Sequence, residues 1–276
     1  MKTRFKLFAV IVFLTPVISG NGYAHWPWDG VRVCTYESSQ AGQRMIPDGC
    51  GGAFITFQDS RSGNYDIYAQ RIDSTGALLW DPEGVVVSSH SSSDNNPRIV
   101  SDGAGGIVIV WGWVQLFAQR LDAGGNILWT ANGVPIGSIP GTERDARVTS
   151  DEMDRTIIVW SVMADGDQDI YAQKLDADGT SLWAAAGVPV CTHASYSWYP
   201  DIAHDGEGGA IIIWQDYRPI TYNVYAQRID SLGVAQWTTD GIPVCAQSEY
   251  QGKYEIAPDG SGGAVIAWQC RPGPSG

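Results

Sequence analysis

Five charged side chains, Arg44, Arg98, Arg147, Asp201 and Glu255, stand four residues ahead of five regularly spaced aspartates, Asp48, Asp102, Asp151, Asp205 and Asp259. Gathered round one opening, three guanidinium groups would hold a carboxylate bidentately. The alternative is ion pairing between neighbours, Arg147 with Asp201 and, in a closed ring, Arg44 with Glu255, since structural ion pairs mimic functional clusters. A second set is aromatic: Tyr196, Trp198, Tyr199, Tyr217, Tyr222, Tyr250 and Tyr254. Such rings offer flat apolar surfaces with polar tips, suited to stacking on sugars or anchoring a protein partner, or else to packing loops onto the body of the fold.

Other chemistry is thinner. Asp165, Asp167 and Asp169 alternate along the chain as calcium-loop carboxylates do, although the glycine and closing glutamate of an EF-hand loop are not in place. They are the weak metal candidates, and calcium is the sole cofactor the sequence suggests. Asp59 with Arg61 and Asp216 with Arg218 read as ion pairs that steady hairpins, of the exposed kind that contributes about 0–1 kcal/mol. His25, His90, His193 and His204 lack metal-ligand spacing, and nucleophile-elbow and phosphate-loop motifs are missing. No catalytic residue is assigned, though acids on separate elements, as in glycoside hydrolysis, need no spacing along the chain.

Those residues are positioned by a repeat. The segments Asp48-Gly-Cys-Gly-Gly, Asp102-Gly-Ala-Gly-Gly, Asp151-Glu-Met-Asp-Arg, Asp205-Gly-Glu-Gly-Gly and Asp259-Gly-Ser-Gly-Gly keep register with Tyr68-Ala-Gln-Arg, Phe117-Ala-Gln-Arg, Tyr171-Ala-Gln-Lys and Tyr225-Ala-Gln-Arg. They also keep register with Trp26, Trp80, Trp129, Trp183 and Trp237, at a period of 49 or 54 residues. Each unit holds four apolar or β-branched runs bounded by Gly, Asp and Asn, the chemistry of strands. In the fourth unit these are Pro200 to Ala203, Ala210 to Trp214, Val224 to Ile229, and Gln236 through Cys245. The second run is apolar on both faces, so it is covered on both.

About 50 residues and four strands per unit define an all-β fold, a β-propeller of about five four-stranded blades with the last incomplete, or the front part of a larger propeller. The units are about 26–80, 81–129, 130–183, 184–237 and 238–271. The sequences Asp66-Ile-Tyr-Ala-Gln-Arg71 and Asp73-Ser-Thr-Gly-Ala-Leu-Leu-Trp80 resemble exported bacterial propeller repeats carrying these two motifs, and the likeness spans residues 26–271. The second is also distantly similar to the Asp-box turn of sialidase-type propellers. This resemblance implies a propeller fold and an exported setting more firmly than an activity. Loosely, the arginine ring resembles the cluster with which sialidases hold substrate.

In a propeller the Asp-Gly and Asp-x-x-Gly turns share one face, and the long, dissimilar connections fall on the other, where binding residues concentrate. Nine of the 12 tryptophans sit at repeat positions, leaving Trp28, Trp113 and Trp198 unassigned.

Composition narrows the partners. A net charge of −13 makes nucleic acid and anionic membranes poor ones. Lys2, Arg4 and Lys6, the apolar run Leu7 to Leu14 and Gly22-Tyr23-Ala24 read as a signal peptide over 1–24, too short to span a bilayer. Its removal takes the charge to −16 and leaves 25–276 as a repeat domain that is secreted, periplasmic or on the cell surface, without membrane insertion. Cys34, Cys191 and Cys245 occupy one equivalent position in three units, too far apart to bridge. Three functions fit: a non-catalytic propeller binding a glycan or protein through its long-loop face, a sialidase-like or other propeller glycoside hydrolase, or a structural part of a larger surface protein.

Overall fold

The computed structural model describes residues 8–9, 27, 29–151, 153–164, 166–218, 221–245 and 250–271, and among them there is no helix. Most of residues 1–24, read from the sequence as a signal peptide, together with Trp26, Trp28 and Asp165 lie outside the described residues. The fold is a β-propeller. Blade one pairs Gln40–Pro47, Ala53–Asp59, Asp66–Ile72 and Val85–Ser88 as a meander of antiparallel strands. Blade two is Arg98–Ser101, Ile107–Gly112, Leu116–Leu121 and Val134–Ile136. Blade three is Thr142–Ser150, Thr156–Ala164, Asp167–Leu175 and Val188–Cys191. Blade four is Ser197–His204, Ala210–Asp216, Asn223–Ile229 and Ile242–Pro243. Blade five shows two strands among the described residues, Tyr250–Pro258 and Ala264–Arg271.

Second strands such as Ala210–Asp216 are buried along their whole length, as their two-faced apolar sequence requires. Apolar clusters fill the space between successive blades: Trp80, Trp111 and Leu121 between one and two, Trp129, Ile158 and Trp160 between two and three, Trp183, Ile212 and Trp214 between three and four. Ile213, Ile256 and Ile266 continue the series between four and five. Among the described residues no cluster or ion pair joins blade five to blade one. Arg44 donates to its neighbour's carbonyl, Gln43 O, at 2.8 Å, and the Arg44–Glu255 pair of a closed ring is not formed.

The repeat residues form one interlock, used four times. Gln70, Gln119, Gln173 and Gln227 are fully buried. Each amide group donates across the outer turn, to Asp81 O, Thr130 O, Ala184 O and Thr238 O at 2.7–2.9 Å, while its oxygen accepts the backbone N–H of the repeat tryptophan. The next residue pairs with the aspartate of its own blade's Asp-Gly turn: Arg71 with Asp48, Arg120 with Asp102, Lys174 with Asp151, and Arg228 with Asp205, at 2.7–2.9 Å. The tryptophan reaches the following blade, its indole N–H donating from Trp80 to Ala123 O, from Trp129 to Ala177 O and from Trp183 to Ser231 O at 2.9–3.1 Å. Gly179 has φ +81°, and a Cβ there would lie 2.8 Å from Trp129, so that turn needs glycine both for its backbone and for the ring.

The Asp59–Arg61 and Asp216–Arg218 pairs correct the sequence reading. Asp59 and Asp216 are fully buried, and each arginine crosses to a cysteine and a carbonyl. Arg61 meets Cys34 Sγ at 3.2 Å and Glu83 O at 2.9 Å; Arg218 meets Cys191 Sγ at 3.3 Å and Asp240 O at 2.8 Å. Both guanidiniums also lie over tyrosine rings, Tyr68 and Tyr225, at 4.0 and 4.1 Å. These are buried clasps from the hairpin loop after a blade's second strand to the turn before its fourth strand and to the cysteine ahead of its first strand, which explains why Cys34 and Cys191 share a repeat position. Cys34, Cys50, Cys191 and Cys245 form no disulfide, and burial pushes the Cys191 thiol up to about 11.

Candidate functional site

In four of the blades the innermost strand runs further than its apolar run suggested, because it continues through an irregularity near its start. The first strands of blades one, three, four and five shift register between Ala41 and Arg44, Arg144 and Arg147, Trp198 and Asp201, and Gly252 and Glu255. A bulge of this kind bends the strand and re-aims its side chains. Two residues ahead of each ring charge the backbone turns left-handed: Gly42, Asn96, Asp145, Tyr199 and Lys253 have φ of +63°, +57°, +54°, +51° and +46°. Glycine, asparagine and aspartate enter that region at little cost; tyrosine and lysine do so with strain, and strain of this type collects where side chains are held for binding.

In blades three to five this geometry builds a cavity of about 370 Å³ at the inner rim, lined by Arg147, Tyr199, Asp201, Gln215, Tyr250, Lys253, Tyr254 and Glu255. The two candidate sets of the sequence thus meet in one place. Arg147 Nε lies 3.8 Å from Asp201 Oδ1. Burial, joined by the neighbouring Glu255, raises the Asp201 carboxyl above its ordinary range despite Arg147. Tyr199 and Tyr250 are exposed, and Gln215, whose amide group reaches Gln251 O at 3.0 Å and Tyr250 Oη at 3.4 Å, steadies the second. Tyr250 also folds back over Gly252, where a Cβ would lie 2.8 Å from its hydroxyl.

Tyr254 takes a different part from the other two. Its hydroxyl donates to Tyr199 O at 2.5 Å and Trp198 O at 3.2 Å, and burial lifts the phenol far above its usual range. It fastens the strained Tyr199 backbone to blade five and presents only its ring. The remaining aromatics continue outward as touching rings: Tyr196 on Trp198 at 5.6 Å, Trp198 on Tyr222 at 6.0 Å, Tyr217 on Tyr222 at 4.8 Å and Tyr222 on Tyr250 at 5.9 Å. Trp198 and Tyr222 are half-buried, so they support this strip while Tyr196 and Tyr217 show at its surface.

The three arginines do not form a shared clamp. Arg147 alone lines the cavity; Arg98 donates to Pro97 O at 3.1 Å. Burial, with Arg147 and Arg44 nearby, brings the Arg98 guanidinium down to about 10. Asp145, which the sequence reading passed over, sits among Arg98, Arg144 and Arg147 and is raised by burial against their pull. Lys253 and Gln215 were also missed. Aligning the bulge positions across units would have found Lys253, since it stands two residues ahead of Glu255.

Away from the rim, Asp167 and Asp169 share one strand, and burial with Asp167 and Asp240 pushes the Asp169 carboxyl up to about 6. Among the described residues no group of three His, Cys, Asp or Glu is gathered as a metal would need. A second cavity of about 520 Å³ lies on the turn face between blades four and five, lined largely by Gly, Asp and Pro residues of the two Asp-Gly turns, and holds none of the candidates.

No family model matches the chain, and no curated protein does. Solved structures do. A protein of unknown function from Dyadobacter fermentans superposes with a TM-score of 0.53 at 10% identity, over 79% of this chain and 71% of that one. A polysaccharide lyase, an ulvan lyase bound to -[GlcA(1-4)Rha3S]-, gives 0.53 at 14% over 84% and 66%. A Hadza microbial sialidase gives 0.53 at 13% over 83% of this chain and 52% of that one, so this chain spans about half the sialidase's length. At such identities the likeness is one of fold, and that fold is the β-propeller.

Proposed function

We propose that the protein binds a glycan at the inner rim of blades three to five, acting as an exported propeller at the cell surface or beyond it. The observation that carries this reading is the pairing of two exposed tyrosine rings, Tyr199 and Tyr250, with Arg147, Lys253, Asp201 and Glu255 around one cavity. Aromatic faces stack on the apolar faces of sugars, the charged fork of Arg147 donates to hydroxyl groups, and the carboxylates accept from them. The repeat motif of the third strands and the basic, then apolar, N-terminal residues support an exported setting.

A second reading, glycoside hydrolysis or lysis, is favoured by Asp201 and Glu255 facing the same cavity, the first with a raised pKa of the kind a general acid needs. The ulvan lyase and the sialidase among its fold neighbours are enzymes, which supports this second reading more than non-catalytic binding, while the likeness itself is one of fold. Calorimetric titration with oligosaccharides of neutral and uronate-containing types decides between them. Binding without release of reducing ends or unsaturated products is the outcome for a binder, and Tyr250→Ala lowers affinity roughly tenfold or more. Product release abolished by Asp201→Asn would establish the hydrolase or lyase instead.

A further inference from the structure

Trp113 stands outside the repeat, and the cavity of blades three to five leaves it unused. With Val114 it helps connect Ile107–Gly112 to Leu116–Leu121 on the long-loop face, and the two side chains are 46% and 66% exposed. This connection is pinned to the first strand of blade three: Val114 O accepts the Glu143 N–H at 3.5 Å, and Glu143 Oε2 accepts the Leu116 N–H at 2.7 Å. The next residue, Arg144, lays its guanidinium over the Trp113 ring at 4.9 Å, and its Nε is buried with no acceptor among the described residues. An open aromatic surface is thus held in place beside a cation. Arg144 and Arg147 lie on one strand, so this platform stands no more than about 10 Å from the arginine of the cavity.

The charges of this face point to the ligand. Arg61, Arg71, Arg120, Lys174, Arg218 and Arg228 are taken up by the clasps and the interlock at 2.7–2.9 Å. Arg44, Arg98, Arg144, Arg147 and Lys253 gather instead along the inner rim, around Asp145, Asp201 and Glu255. Five cations against three carboxylates make the rim positive on a chain whose net charge is −13. A concave site of one sign concentrates ligands of the other. We propose, resting on the glycan reading of the cavity, that the rim takes an acidic glycan, a polymer of uronate residues, and that Trp113 with Arg144 is a second subsite for it, further along the same glycan from Tyr199 and Tyr250. The indole stacks on a sugar face, the Arg144 guanidinium grips a carboxylate, and two linked subsites hold one glycan more tightly than either alone.

The test titrates the full chain calorimetrically with galacturonate and mannuronate oligomers of two and six residues, each as the free acid and as its methyl ester, beside neutral oligosaccharides of the same lengths. In at least one series the six-residue acid is expected to bind roughly tenfold or more tightly than both its two-residue form and its own ester. Trp113→Ala and Arg144→Gln each remove that gain with length while the two-residue acid binds as it does to wild type, and Tyr250→Ala weakens both lengths. A six-residue acid that binds no better than the short one, or that neither variant weakens, overturns the second subsite and leaves the cavity reading standing. Esters or neutral oligosaccharides that bind as tightly as the acids overturn the uronate class alone. Wild type that binds none of these ligands overturns the cavity reading and this proposal together.

Discussion

Glu143 shows what one residue contributes to the joints between blades. It is buried where blade three meets blade two, and its Oε2 accepts the Leu116 N–H at 2.7 Å while Oε1 has no partner. Burial, only partly offset by that bond, pushes the carboxyl up to about 7. An unfolded glutamate titrates near 4.3, so the folded state holds the proton more tightly. The stability this gives is complete below about pH 4 and is lost as the pH rises through 7. Glu143→Gln replaces the carboxyl by a permanently neutral amide, so in urea denaturation the variant should exceed the wild type by about 3 kcal/mol at pH 8 and by no more than about 1 kcal/mol at pH 5. An equal difference at both values would show that the carboxyl is not titrating in that range. A second residue-scale expectation concerns Gly252. Gly252→Ala places a methyl against the Tyr250 ring, so it should weaken any ligand that Tyr250→Ala weakens while leaving the unfolding free energy from urea denaturation within about 1 kcal/mol of wild type.

Among the elements, the third strand with its turn is the unit that ties blades together, and its members are unequal because their burial differs. Lys174 and Asp151 are both buried, and the Lys174 ammonium also donates to Gly208 O of the next blade. Lys174→Ala leaves a buried carboxylate unpaired and should cost about 3–5 kcal/mol. Arg228→Ala, at a pair with a more exposed guanidinium, should cost less than half as much, and chemical denaturation of the two variants side by side checks the ordering. Gly179→Ala meets both a positive φ and the Trp129 ring, so a loss of at least about 1 kcal/mol is expected in the same experiment. The sequence displayed these elements clearly, since the repeated Asp, Gln, Arg and Trp are the atoms of the interlock. What it did not display was why two repeats carry Asp-x-Arg and a cysteine: Arg61 and Cys34 are 27 residues apart and meet only when the hairpin loop after Asp59 folds back over the segment ahead of the first strand.

For the whole molecule, the propeller and its four-stranded blades were legible because a covered strand must be apolar on both faces and a period survives loop variation. The rim was legible only in part. Arg147, Asp201 and Glu255 were found by counting back from the turn, but the bulges that turn Tyr199 and Lys253 into the same cavity leave no mark in composition, and the burial of Arg98 comes from packing that composition does not show. The account rests on that cavity. Titrating the wild type, Tyr199→Gly and Tyr250→Ala against one panel of neutral and uronate-containing oligosaccharides tests it most directly. Glycine keeps the left-handed backbone at 199, so the fold is preserved while the ring is lost. The account predicts saturable binding of at least one glycan class by the wild type and a loss of roughly tenfold or more in each variant. Wild type that binds none of the panel, or variants that bind as tightly as the wild type, would contradict it.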